Sequence, residues 1–368
     1  MNFDILNGGK MSLINLNNEQ KMIQDEFRRF AKNELEQIAE ELEENAIFPK
    51  KLIDKIADLG LLSLIIPEQY GGVELDLTSM CIAVEELSKI SASVGSVLVT
   101  NNCLVAYPIM KYGSKEQKEK YLNSLSEGAV GGYLCQTQTD LPEEQNSYSE
   151  DGKSFTGIRE LGLNAEAADF FVMPDFVSGQ LLLLEKSDDT LELQNQQVMG
   201  LKSSGIKKCE FSNAKLESVT KTENNEFLEP AYIGMSAISL GISEACLDAA
   251  TAYSKERIQF GHSISEYPMV RAMLTEMKIK IDAVKLMIYD AADRFDKGED
   301  ISVISRQAKV LSGDVAEFCG LTSIQVHGGY GYMKDYPIER YFRDAKVLQL
   351  LETNPMKLKD EIALKMLK

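Results

Sequence analysis

Gln325-Val326-His327-Gly328-Gly329-Tyr330-Gly331-Tyr332 opens the stretch whose reading decides the fold. It continues through Tyr336-Pro337-Ile338-Glu339-Arg340-Tyr341-Phe342-Arg343-Asp344-Ala345-Lys346 and closes on Leu350-Leu351-Glu352. A Gly-Gly-x-Gly run lets backbone amides approach a phosphate, because glycine has no Cβ to hold the ligand away. Glu339, Arg340, Arg343, Asp344 and Lys346 follow at helical spacing, where opposite charges three or four residues apart can pair. Glu352 is a lone carboxylate after an apolar run, the setting of a desolvated general base.

Outward from that stretch, the 368-residue chain is long enough for several layers around a buried core. Its 44% hydrophobic and 26% charged residues describe an ordinary globular protein. A net charge of −18 argues against nucleic acid, whose binding rests on Lys and Arg neutralising phosphates. No apolar run is read as reaching the ~20 residues that span a bilayer, and the N-terminus lacks the basic start and apolar core of a signal peptide. A cytoplasmic protein is expected. The scattered cysteines Cys81, Cys103, Cys135, Cys209, Cys246 and Cys319 form no Cys-x-x-Cys and read as free buried thiols. His262 and His327 bring no second ligand near, so no metal centre is expected.

Three composition zones follow one another. Helical periodicity runs over Asn17–Glu44, with Asn17 and Gln20 spaced as a capping box, then over Leu52–Leu59, Thr78–Ser88, Ala92–Tyr112 and Lys115–Ser124. After Gly128, short β-rich runs cover Val130–Thr137, Ser154–Ile158, Phe170–Phe176, Leu181–Glu185, Leu191–Val198 and Lys207–Phe211, broken by glycines as in antiparallel strands. A surface loop is expected at Glu223–Glu226. From Tyr232 the helical period returns, and Met269, Met273, Met277, Ile281, Val284, Ile288, Ala291 and Phe295 form one stripe that predicts bundle core or a bundle interface. The expected organisation is mainly α in an α+β chain: a helical domain over 12–127, a central antiparallel β domain over 128–225, and a helical bundle that mediates oligomerisation over 226–368.

This order resembles the acyl-CoA dehydrogenase superfamily, and motifs match along roughly 350 residues. Phe48-Pro49, Pro67-Glu68-x-Tyr70-Gly71-Gly72 and Glu85-Glu86-Leu87 resemble its N-terminal domain, and Met199-Gly200-Leu201-Lys202 its β domain. Glu256-Arg257-Ile258-Gln259-Phe260-Gly261 and the opening stretch resemble its C-terminal signatures. Thr100-Asn101-Asn102 and Tyr112–Lys118 look most like the short-chain, butyryl-type branch. The resemblance implies the family fold with a C-terminal four-helix bundle, assembled as a dimer or tetramer. It implies FAD held between subunits and α,β-dehydrogenation of a short acyl thioester, on coenzyme A or a carrier protein. Glu352 would be the catalytic base, electrons would leave through an electron-transfer flavoprotein, and Arg257, Phe260, Gln325, Gly328 and Gly329 would reach the adenosine and pyrophosphate of a neighbouring subunit's FAD.

The chain departs from the family pattern on the side of its own flavin ring. The family's Thr/Ser-Glu-Pro-x-x-Gly-Ser-Asp loop corresponds to Gln136–Glu143, where Leu141 replaces a glycine and Pro142 removes an amide donor. The Trp-Ile-Thr/Ser-Asn segment reads Leu161-Gly162-Leu163-Asn164, and the arginine of Asp-x-x-Arg reads as Tyr232 after Glu229. Glu352 is followed by Thr353-Asn354 in place of Gly-Thr. A second reading therefore stands beside the first: a degenerate subunit without its own flavin that completes the FAD site of an intact related subunit in a hetero-oligomer. A third is use of the fold without flavin for another thioester task. Residue by residue, Glu352 can also be read as a helix-end carboxylate, Arg257 as half of a surface ion pair, Arg340 and Arg343 as ties between the last helices, and His327 as a packing residue of the glycine turn.

Overall fold

A computed structural model describes residues 14, 16–135, 146–175, 179–221 and 225–367. The Gln136–Glu143 loop lies outside the described residues, as do the ends of the runs expected at 130–137 and 170–176 and the first half of the surface loop at 223–226.

The first third is helical: α1 (Asn18–Phe30), α2 (Ala39–Glu44), α3 (Lys50–Asp58), α4 (Leu77–Ser88), α5 (Ala92–Val99), α6 (Tyr107–Tyr112) and α7 (Lys115–Ser126). The capping box at Asn17 forms in both directions, with Gln20 N–H donating to the Asn17 side chain at 2.8 Å and the Gln20 side chain accepting from Asn17 N–H at 3.1 Å. The helix expected over 17–44 is divided by a π-helical turn at Ala31–Leu35, and the one over 92–112 by another at Thr100–Ala106. Asn101 and Asn102 sit buried in that second turn. Asn102 donates to Leu98 O at 3.0 Å, and Asn101 donates to Leu62 O and accepts from Gly131 N–H, both at 2.7 Å.

The middle third carries β1 (Gly131–Cys135), β2 (Ser147–Tyr148), β3 (Ser154–Leu163), β4 (Phe170–Asp175), β5 (Gln180–Glu185), β6 (Leu191–Asn195) and β7 (Lys207–Lys221). Strand order is β2-β3-β1-β4-β5-β7-β6, and β3 also pairs with β7, so five strands close into a ring flanked by β2 and β6. Every pair is antiparallel except β1–β4, which runs parallel in the register Tyr133↔Val172. The two-residue alternation of a strand then divides the side chains. Leu134, Phe171, Met173, Leu182, Leu184, Phe211 and Leu216 fill one core, while Tyr133, Cys135, Phe170, Val172, Leu181 and Leu183 join the core shared with the helices.

The last third comprises α8 (Glu229–Glu256), the short hairpin β8 (Ile258–Gln259) and β9 (His262–Ser263), α9 (Pro268–Asp296), α10 (Ile304–His327), α11 (Ile338–Leu350) and α12 (Pro355–Met366). Helices α8 to α11 pack side by side with α12 against α10. The stripe on α9 is buried from Met277 to Ala291, whereas Met269 is 75% exposed, so its first turn lies outside the subunit core. Two stretches, Ala92–Tyr112 and Glu226–Glu256, are long and apolar enough to cross a membrane, contrary to the sequence reading. They are core helices: 89% and 78% of their most apolar windows are buried inside the protein.

The β ring is fastened to the bundle at Met199–Lys202. Leu201 N–H donates to the Asp344 carboxyl at 2.7 Å, Lys202 N–H to Glu43 at 3.1 Å, and Arg343 to Met199 O at 2.6 Å. A Cβ on Gly200 would lie 2.6 Å from the Arg343–Asp344 backbone, so this approach requires glycine. Arg343 also pairs with Glu339 one turn back on α11 at 2.7 Å. Its tie thus reaches the β ring as well as its own helix.

Candidate active site

The residues singled out in the sequence fall at two places. Arg257, Gln325, Gly328 and Gly329 line one open groove of about 480 Å³, together with Tyr253 and Tyr330. Helix α10 ends there because Gly328 adopts φ 59°, ψ −135°, a conformation closed to residues with a Cβ. A Cβ added at Gly328 or Gly329 would meet nothing within 4 Å, so this backbone faces open space. Arg257 caps α8 and lies over the Tyr330 ring, 5.5 Å from its centroid. His327 is buried beneath the glycines, stacked on Tyr253 at 4.3 Å. Its Nδ1 lies 2.8 Å from the Ser323 carbonyl, which can only accept, so Nδ1 carries the proton. Burial lowers the pKa of that imidazole, and the contact with Ser323 opposes the shift. Phe260 does not join the groove wall: it stands 92% exposed at the β8–β9 turn with φ 52°.

Glu352 lies at the other end of the bundle. It follows α11 in a left-handed backbone conformation, φ 65°, which is uncommon for a residue with a side chain. Its carboxylate is met by the β ring on one side and by the helices on the other. Tyr133 of β1 donates to Oε1 at 3.4 Å. Thr353 donates its hydroxyl to Oε2, and Tyr232 of α8 lies 3.0 Å from that hydroxyl. Behind Tyr232, Arg306 of α10 sits 5.7 Å from the ring centroid, held by Glu229 at 3.0 Å and Glu361 at 2.7 Å. Lys309 of α10, buried, donates to Leu348 O.

Burial governs the titration of these groups. It pushes Glu352 above the usual carboxylate range, while the Thr353 hydrogen bond, the charges of Lys357 and Lys309, and Tyr133 pull the other way. Burial also raises the Tyr133 and Tyr232 phenols well above their ordinary value, with the Glu352 charge adding to both. The same burial brings Lys309 down to about 8, against the opposing pull of Glu352. A carboxylate withdrawn from water by burial can accept a proton from a weak carbon acid more readily than one in water, whereas its hydroxyl donors temper that gain.

The groove and the carboxylate are separated along α10. Lys309, beside Glu352, and Gly328, in the groove, lie about 28 Å apart at the helical rise of ~1.5 Å per residue. The segment 161–164 runs beside Tyr133, with Leu163 opposite it in register. Asn164 turns with φ 56°, donating to Val97 O and Gly131 O at 3.2 Å each. Tyr133, Arg306 and Lys309 were not singled out in the sequence. Strand alternation could have directed Tyr133 toward the helices, but nothing local announces that Glu352, far along the chain, is its partner.

Residues 17–129 match the family model of the acyl-CoA dehydrogenase N-terminal domain, and residues 225–354 that of the acyl-CoA dehydrogenase C-terminal domain. An acyl-CoA dehydrogenase of Bacillus subtilis is 33% identical over 356 residues, covering 91% of this chain and 94% of that protein. Among solved structures, butyryl-CoA dehydrogenase from Megasphaera elsdenii aligns over 96% of this chain and all of that one, with a TM-score of 0.89 and 28% identity. A chain from a study of the electron transferring flavoprotein of Acidaminococcus fermentans and flavin-based electron bifurcation aligns over 96% of this chain and 99% of that one, with a TM-score of 0.90 and 33% identity. The fold and these matches define a flavin-type dehydrogenase architecture. The chain belongs to the acyl-CoA dehydrogenase family.

That family implies FAD. The groove fits the diphosphate and adenosine portion of such a group: open glycine backbone, a guanidinium, an amide side chain and aromatic rings surround one concavity. On the side toward Glu352, residues 161–163 offer backbone and aliphatic side chains alone.

Proposed function

We propose that the protein oxidises a short acyl thioester between Cα and Cβ, with Glu352 as the base that removes the α-proton. The observation that carries this reading is the half-buried Glu352 carboxylate itself, set among the buried side chains of Tyr133 on β1, Tyr232 on α8 and Lys309 on α10 and supplied with hydroxyl donors on both oxygens. Arg257, Gln325, Gly328 and Gly329 would hold the diphosphate side of FAD, and Phe260 would extend from the hairpin turn toward a neighbouring chain. When bound, the flavin supplies the two-electron acceptor for the β-hydrogen, which leaves as hydride while Glu352 takes the α-hydrogen as a proton. Glu352 becomes a neutral carboxylic acid in that step, and its enclosed site favours the neutral form.

Because the groove and the base lie at opposite ends of α10, the reading includes an oligomer in which one subunit's groove serves another subunit's Glu352. The exposed apolar residues Met269, Ile279 and Leu286 on α9 and Leu321 on α10 give the bundle an outer face suited to such packing. The acyl group would be carried by coenzyme A or a carrier protein, and reducing equivalents would pass to an electron-transfer flavoprotein. A cytoplasmic setting fits the six cysteines, all buried and none in a disulfide.

The test is anaerobic titration of the flavin-loaded protein with butyryl-CoA, read by visible absorption. Bleaching of the flavin band is expected, and Glu352→Gln should keep the flavin and slow bleaching by roughly a thousandfold or more, as expected when a general base is lost. Full flavin loading without bleaching by any short acyl thioester contradicts the reading. One flavin per two chains, found only with a related subunit present, supports the degenerate-subunit arrangement instead.

A further inference from the structure

The groups around Glu352 form a directed relay. A threonine hydroxyl has one proton, and Thr353 gives it to Glu352 Oε2. Tyr232, 3.0 Å away, must then be the donor to Thr353 Oγ1. Tyr133 supplies the other carboxylate oxygen from β1. Tyr133, Tyr232 and Thr353 are all buried, while Glu352 itself is half-buried. Arg306 in turn holds the Tyr232 ring from behind, fixed by its two carboxylate partners.

We infer that Thr353 and Tyr133 are positioning residues that clamp the two oxygens of Glu352, with Tyr232 orienting the Thr353 hydroxyl, so that this enclosed carboxylate stays ionised and aimed until substrate arrives. The inference rests on Glu352 being the base and adds the parts that make a half-buried carboxylate usable as one. Two hydroxyl donors favour the charged form, whereas enclosure alone favours the neutral acid. Lys309 on α10 and Lys357 on α12 also act on Glu352, both in the same direction as the clamp. Each hydroxyl therefore contributes separately and can be removed singly.

The experiment is an infrared titration of the carboxyl band assigned to Glu352 by its absence in Glu352→Gln, on flavin-loaded protein, paired with the pH profile of butyryl-CoA oxidation. Thr353→Val and Tyr133→Phe are each expected to move the Glu352 titration up by about one pH unit, the shift that loss of one hydrogen bond to a carboxylate produces. The acid limb of the activity profile should move with it. Tyr232→Phe should move it in the same direction by less, and Thr353→Ser, which keeps the hydroxyl, should titrate like the native protein. Variants with unchanged circular dichroism whose Glu352 band titrates as in the native protein overturn the clamp. If the band shifts as expected but no variant or native protein oxidises an acyl thioester, the clamp stands and the proposed reaction falls.

Discussion

Asp344 shows how one buried carboxyl can couple fold to pH. It accepts from Leu201 N–H where the β ring meets the bundle, and burial together with the nearby Glu43 charge pushes it up to about 8. Its folded pKa thus lies above the ordinary value of 3.8, so the folded state binds this proton more tightly than the unfolded chain does. The stability contributed by the protonated form is complete below about pH 4 and is lost as pH rises toward 8. Asp344→Asn keeps an acceptor for Leu201 N–H and cannot ionise. Melting temperatures of the two proteins should agree at about pH 3, and at pH 9 the variant should be higher by on the order of 5 °C. A parallel pH dependence in both would show that Asp344 is ionised in the fold throughout. The same physics at Glu352 has a different use, because there the hydroxyls of Thr353 and Tyr133 oppose burial. The sequence disclosed Glu352 by its place after an apolar run, and it disclosed Thr353 as an unexpected neighbour. It could not disclose the contact with Tyr133, because closing that contact requires the whole β ring to dock on the bundle.

Between elements, α4, α8 and α9 are joined by a buried charge network rather than by apolar packing alone. Lys285 of α9 donates to Glu85 of α4 at 2.6 Å and to Glu244 of α8 at 2.9 Å, and Tyr289 donates to the other Glu85 oxygen at 2.7 Å. Lys89 adds a second bridge to Glu244 at 2.7 Å. Burial alone would raise Glu244, but Lys89 and Lys285 outweigh it and hold that carboxylate at about 2. Lys285→Met would leave Glu85 buried with one donor fewer, at a cost of about 3 kcal/mol in chemical denaturation. A loss well under 1 kcal/mol would mean that Glu85 is neutral in the fold. Elements of this kind were legible where the signal is local. The capping box at Asn17, the stripe on α9 and the β-rich runs all follow from nearby residues. The π turns at 31–35 and 100–106 and the parallel β1–β4 pair were not, since each depends on what packs against it. The length of β7, which runs to Lys221 where sequence ended it at Phe211, has the same origin: β3, β5 and β6 all pair with it.

At the scale of the whole molecule, α10 runs between the glycine groove and the surroundings of Glu352. Its C-terminus opens the glycine groove with Arg257 and Gln325, and its N-terminal half carries Arg306 and Lys309 beside Glu352. The glycine run and the carboxylate of the Gln325–Glu352 stretch thus lie at two places about 28 Å apart along that helix. The proposed function requires the groove of one subunit to meet the Glu352 of another. Intersubunit complementation tests it most directly. Arg257→Ala and Glu352→Gln proteins, each inactive alone, are mixed, dissociated, reassembled and assayed with butyryl-CoA. If each site joins the groove of one chain to the carboxylate of another, a mixed pair contains one site with both native halves. Activity should then return to about a quarter of the native level for random pairing, the share expected when half the dimers carry one intact site. No recovery, with mixed oligomers demonstrated by mass, would contradict a site built from two subunits.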